Sequence, residues 1–144
     1  MMVSKFNSEG YYDPTVHGAL MKVEKEERAA RAAAAYRPLV YICSPYAGDI
    51  EKNTYRARAF SRFVVEKRYI PIAPHLLYPQ YIDEETERWL GLKMGLVFMG
   101  KCEEVWIFGD VISEGMAEEI ERAKKMRKKI RYFTDDLQEK EGTL

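Results

Sequence analysis

At 144 residues, with 47% hydrophobic and 32% charged side chains, the chain has room for one domain with a modest core. Its 23 lysines and arginines balance its 23 aspartates and glutamates, so no net field draws it to a nucleic acid polymer or an acidic membrane. No apolar run reaches the ~18 residues of a transmembrane helix, and the opening Met-Met-Val-Ser-Lys-Phe-Asn-Ser-Glu-Gly lacks a signal-peptide core, so a cytoplasmic protein is expected.

In chain order, residues 1–16 read as an irregular polar lead-in, with Thr15 placed to cap the first helix. That helix, rich in alanine and charge, is predicted from about His17 to Tyr36, and Pro38 ends it. Its large apolar residues, Leu20 and Val23, form a thin stripe that calls for a partner surface, on the body or on a second copy. A homo-oligomer is therefore expected. Leu39–Cys43 is an all-apolar strand, followed by the turn Ser44-Pro-Tyr-Ala-Gly-Asp49 and a helix from about Ile50 to Lys67. The next strand, Tyr69–Ala73, contains Pro71, which cannot donate to a ladder and marks an edge. A loop over Pro74–Gln80 leads to a helix from about Glu84 to Met99. Strand Glu104–Phe108, a helix after Ser113 and strand Lys129–Phe133 complete the pattern.

Strands alternating with helices predict a three-layer, Rossmann-like or flavodoxin-like α/β domain, a parallel sheet of about four strands in the order 2-1-3-4 with helices on both faces. The division is an N-terminal lead-in and helix over 1–37, the α/β domain over 38–133, and a polar tail over 134–144. Ligands in such sheets sit beyond the carboxyl ends of the strands where the winding reverses, here between strands one and three.

The residues that carry chemistry gather at that crevice. On the helix after strand three, about 100° per residue places Met116, Ile120, Ala123 and Met126 on one apolar stripe. Glu119 falls inside it, either a satisfied structural acid, with Arg127 two turns away, or a working one. Ser113 is the natural N-cap and can also hold a ligand oxygen, while Gly115 leaves room for close approach. Asp110 is a turn aspartate within reach of a ligand. The Ser44–Asp49 turn, with Gly48, is an anion cradle at a helix N-terminus or a plain turn capped by Asp49. It is neither a Walker loop nor a dinucleotide fingerprint, so no nucleotide cofactor is expected. His75 contacts substrate or packs its loop, and Tyr46, Tyr78 and Tyr81 offer faces on which a base can stack. Tyr41 and Trp106 read as core and Trp89 as a packing residue. Cys43 and Cys102 read as buried, reduced thiols; with two histidines there is no zinc spacing and no metal is expected.

Three stretches carry a resemblance: Tyr-Ile-Cys-Ser-Pro-Tyr-Ala-Gly-Asp (41–49), Ile-Pro-Ile-Ala-Pro-His-Leu-Leu-Tyr-Pro-Gln (70–80) and Val-Trp-Ile-Phe-Gly-Asp-Val-Ile-Ser-Glu-Gly-Met-Ala-Glu-Glu-Ile (105–120). Together they resemble the nucleoside 2-deoxyribosyltransferase superfamily, and within it the small DUF4406 branch. The resemblance implies that Glu119 matches the glutamate that attacks the sugar's anomeric carbon. It implies a phosphate-side role for Ser113 and for the Ser44–Gly48 loop, and places His75 near a histidine of the relatives. Where many of those enzymes carry an aspartate that assists base departure, this chain has Gly95 or its neighbours, so either another acid such as Asp110 assists or there is no catalysis. The function expected is cleavage or exchange of an N-glycosidic bond in a small-molecule nucleoside or its 5′-monophosphate. Glu119 and Asp110 would be catalytic, with Ser44, Tyr46, Gly48, His75, Ser113, Gly115 and Met116 lining the substrate. The alternatives are a nucleotide-binding sensor without turnover and an interaction protein with a vestigial crevice.

Overall fold

The computed structural model describes residues 14–34 and 36–141. Residues before Pro14 lie outside that range, as does most of the expected lead-in. Contacts divide the chain into two units that part at Tyr36 and Arg37. The first holds helix α1 (Pro14–Ala34), which begins on its proline, so Thr15 sits inside the first turn instead of capping it. Leu20 and Val23 are exposed along α1.

The second unit is the α/β body. Its elements are β1 (Leu39–Cys43), α2 (Ile50–Glu66), β2 (Ile70–Ile72), two 3-10 turns (Pro74–Leu76 and Tyr78–Gln80), α3 (Arg88–Lys101), β3 (Glu104–Phe108), α4 (Glu114–Lys125), β4 (Lys129–Phe133) and β5 (Glu139–Lys140). The sheet runs β2-β1-β3-β4-β5, with the first four strands parallel. Pro71 lies on the edge strand β2 beside Val40. The winding reverses between β1 and β3, where Tyr41 is level with Val105 and Cys43 with Ile107.

Two local departures from the sequence pattern have visible causes. Helix α3 starts at Arg88 because the acids before it close a turn of their own. Asp83 Oδ1 accepts the N–H groups of Glu85 (2.9 Å) and Thr86 (3.3 Å), and Glu87 Oε1 accepts that of Asp83 (3.1 Å). The polar tail supplies an extra antiparallel edge strand, β5, through a turn in which Leu137 takes a left-handed backbone (φ 66°). Arg131 Nε and Nη2 clamp the Glu139 carboxylate at 2.8 and 2.7 Å.

Strand alternation sends successive residues to opposite faces and builds two cores. On the α2 face, Val40, Ile42, Trp106, Phe108 and Phe133 pack with Phe60 and Val64. Phe108 stacks between Phe60 (4.5 Å) and Phe133 (5.1 Å), and the Arg131 guanidinium lies 4.4 Å over Trp106. On the other face, Tyr41, Cys43, Val105 and Ile107 meet Met99 of α3 and Met116, Ile120 and Ala123 of α4. Helix α3 is apolar nearly all round, and it leaves Trp89 (65%), Leu92 and Val97 exposed; Trp89 is not the packing residue its type suggests.

Candidate functional site

A cavity of about 500 Å³ opens beyond the carboxyl ends of β1 and β3, on the face covered by α3 and α4. The loop after β1 supplies Ser44, Tyr46 and Ala47, the turns after β2 supply His75 and Tyr78, and the start of α4 supplies Ser113 to Met116. The volume suits a ligand of nucleoside size.

Glu119 reaches this cavity because it shares a helix face with residues that cannot leave the core. Ser113 fixes the entry of α4, its Oγ accepting the Met116 N–H at 3.2 Å. Met116, Ile120 and Ala123 are buried against the sheet, and Glu119, one turn beyond Met116, is half-buried at the cavity wall. The Tyr41 hydroxyl and the Cys43 thiol, both rising from β1, act on it as donors that favour its charged form. Arg127 lies past the end of α4, outside the cavity, and is not the partner. Burial raises the Glu119 carboxyl from 4.5 to about 7, against the pull of the two donors, with Glu118 adding a smaller upward push. The same burial, reinforced by Glu119, drives the Tyr41 hydroxyl and Cys43 thiol well above their ordinary ranges, so both stay protonated donors at neutral pH.

On the side of the cavity formed by the segments after β1 and β2, the polar groups are neutral. Ser44, 6% exposed, places Oγ 3.0 Å from His75 Nε2. Burial lowers His75 to about 4, so its imidazole is uncharged at pH 7. Tyr46 sets its ring edge-on to His75 at 6.1 Å. The Tyr78 hydroxyl is buried without a hydrogen-bond partner, and burial moves it up to about 12. Four glutamates line the cavity (Glu84, Glu114, Glu118 and Glu119) against two arginines, Arg88 and Arg122. Among the described residues no group of three His, Cys, Asp or Glu side chains could hold a metal ion.

Of the residues singled out in the sequence, Ser44, Tyr46, His75, Ser113, Gly115, Met116 and Glu119 come together here. Two do not. Asp110 lies outside the cavity, its Oδ1 accepting the Asp135 N–H at 3.4 Å, and Asp135 in turn pairs with Arg56 at 2.9 Å. It braces the β3–α4 loop beside Gly109, where the backbone φ of 120° requires glycine and a Cβ would stand 3.4 Å from Asp135 Oδ1. Gly48 also lies off the cavity wall, at φ 95° in a turn where Asp49 Oδ1 accepts the Lys52 N–H at 3.1 Å, so the start of α2 is capped from within. Tyr81 stands outside too, edge-on to Tyr78 at 6.1 Å.

Tyr41 and Cys43, core residues in the sequence pattern, are core by burial, and Tyr41 also lines the cavity. The signal is the alternation of β1, which puts both on the face away from Val40 and Ile42. Gly95 lies beneath the same group, and a Cβ there would be 3.5 Å from the Tyr41 hydroxyl.

Residues 38–133 match the model of a domain of unknown function, DUF7768. The chain belongs to that family. The finer assignment suggested by the motifs, DUF4406, is thereby replaced. No curated protein matches the sequence. Among solved structures, the chain resembles a 2-deoxyribosyltransferase from Bacillus psychrosaccharolyticus with a TM-score of 0.54 and 16% identity, over 67% of this chain and 72% of that one. It also resembles a 2-deoxyribosyltransferase from Leishmania mexicana with a TM-score of 0.52 and 15% identity, over 74% and 81%. The DUF7768 body therefore has the deoxyribosyltransferase fold.

Proposed function

We propose that this DUF7768 protein cleaves or exchanges the N-glycosidic bond of a nucleoside or its 5′-monophosphate, with Glu119 as nucleophile. The observation that carries the reading is the Glu119 carboxyl at the wall of a nucleoside-sized cavity, raised by burial to about 7. The likeness in fold to two 2-deoxyribosyltransferases supports the same class of substrate.

In this reading a Glu119 oxygen forms a bond to the sugar's C1′ as the C1′–N bond breaks, and the base leaves with the bonding pair and takes up a proton. The glycosyl ester is then opened at C1′ by water, giving a hydrolase, or by a second base, giving a transferase; either restores the carboxylate. The Tyr41 donor orients the attacking oxygen. Ser113 and the open space beside Gly115 accommodate the sugar's 5′ side, and Tyr46 with His75 forms the wall along the loop after β1. Assembly into a homo-oligomer belongs to this reading, supported by the exposed apolar face of α3; light scattering that returns a monomer removes it.

The decisive assay measures base release from a panel of nucleosides and 5′-monophosphates. Wild type should release base, and Glu119→Ala should lose about 10³-fold or more in kcat. Equal turnover by both overturns the role of Glu119. A second reading, a nucleotide sensor without turnover, is favoured by the position of Asp110 outside the cavity and by Gly95 standing beside Tyr41 where an assisting acid would be needed. Calorimetric binding with the nucleotide recovered intact would select it.

A further inference from the structure

We propose that Ser44 is a positioning residue for His75: its hydroxyl donates to Nε2, so the ring carries its proton on Nδ1 and offers that N–H to an acceptor on the edge of a nucleobase. The ligand half rests on the nucleoside reading above, whereas the tautomer does not.

The sheet brings the two residues together. Strands β1 and β2 run parallel with Tyr41 level with Ile72, so Ser44 and His75, each three residues further on, leave the sheet side by side. The chain after β2 closes into a 3-10 turn that begins on Pro74. Its Leu76 N–H meets the Ala73 carbonyl at 3.0 Å, and its Leu77 N–H meets the Pro74 carbonyl at 2.9 Å. That turn holds the imidazole with Nε2 3.0 Å from Ser44 Oγ, and Tyr46 stands edge-on to it at 6.1 Å.

Proton accounting gives the direction of that bond. A serine has one hydroxyl proton and a neutral imidazole one N–H, so one group donates and the other accepts. Ser44 is 6% exposed, and Nε2 is the one hydrogen-bond partner of its Oγ among the described residues. If Nε2–H donated, the hydroxyl proton would be left without a protein acceptor, which a buried group avoids. With Ser44 as donor, its proton is satisfied and the ring's own proton sits on Nδ1. A charged ring would carry protons on both nitrogens, but burial lowers His75 to about 4 and keeps it neutral at pH 7.

Nδ1 has no hydrogen-bond partner among the described residues and is not sealed from solvent, so its N–H is open to the cavity that the ring lines. An uncharged N–H suits an uncharged acceptor, such as the ring nitrogens and carbonyl oxygens on the edges of nucleobases. Tyr46, on the same wall, adds an aromatic ring against which a base can lie. In the reading above the sugar's 5′ side lies against Ser113 and Gly115 of α4, which leaves this wall to the base. Neither Ser44 nor His75 forms or breaks a covalent bond.

The test reads the His75 ring nitrogens by nitrogen-15 NMR in the full chain near pH 7, without ligand, with His17→Gln used to assign the signals. Wild type should show Nδ1 protonated and Nε2 unprotonated. Ser44→Ala should lose this pattern, both nitrogens moving toward the averaged shift of a ring that exchanges tautomers. Ser44→Thr, which keeps the hydroxyl, should restore it. Nε2 protonated in wild type overturns the proposal, as does an unchanged pattern in Ser44→Ala. If the alanine variant does not fold, the wild-type shifts decide alone. Calorimetry with adenine, hypoxanthine, cytosine and uracil then tests the ligand half. Ser44→Ala should weaken the tightest of them by about 3- to 10-fold, with binding of inorganic phosphate as in wild type. Equal affinity for the bases in both proteins, or no binding by wild type, overturns that half. Binding of a base without its release from nucleosides counts against the proposed function alone and supports the Ser44–His75 pair.

Discussion

Strand β1 divides the molecule into two chemistries within five residues. Val40 and Ile42 face α2 and join an aromatic core in which Phe60, Phe108 and Phe133 stack ring on ring. Tyr41 and Cys43 face α3 and α4, where packing gives way to a cavity with a half-buried carboxylate at its wall. The first face holds the sheet together through apolar burial. The second spends part of that stability on a charge that burial disfavours. Because the sheet separates them, one face can be altered with little effect on the chemistry of the other.

The steepest loss is expected on the aromatic face. Phe108→Ala removes the middle ring of the stack and should cost about 3–5 kcal/mol in urea unfolding. The Glu119 titration in the folded protein should stay where it was, and a shifted midpoint would break the separation of the two faces. Next comes the pH dependence of stability on the cavity face. The folded-state carboxyl of Glu119 is raised from 4.5 to about 7, so its contribution is fully present below about 4.5 and is lost as pH rises through about 7. Glu119→Gln should therefore gain stability relative to wild type across that window, by about 2 kcal/mol at pH 8 after allowing for solvent screening at the cavity mouth. A stability difference independent of pH would contradict the buried-acid description. The mildest change is at the cap: Ser113→Ala should lose about 1 kcal/mol, read from the unfolding midpoint, by releasing the Met116 N–H at the start of α4. No loss would mean that the core contacts of Met116 and Ile120 alone set the position of Glu119.

Much of this is legible in the sequence. The spans Leu39–Cys43, Glu104–Phe108 and Lys129–Phe133 are apolar runs bounded by turn residues, and the strands fall there. Pro71 marks the edge, and the helical period puts Glu119 on the buried stripe of α4. Other features depend on contacts between distant segments. Nothing local distinguishes a turn aspartate at a ligand from one bracing a loop, and Asp110 bonds Asp135, 25 residues on. Tyr41 and Cys43 look like core because an apolar run conceals which tips are polar and what stands above them. Strand β5 depends on the Arg131–Glu139 pair and a left-handed Leu137, neither of which shows as periodicity. The start of α3 is lost to the side-chain turn of Asp83 and Glu87.

The chemistry proposed for the cavity turns on a covalent bond between Glu119 and the sugar. Mass spectrometry of the chain quenched during turnover of a responsive nucleoside looks for that bond itself. A nucleophilic Glu119 predicts a glycosyl mass on the peptide that contains it, absent from Glu119→Ala. Base release that proceeds at the wild-type rate in Glu119→Ala, with no adduct on that peptide, would contradict it.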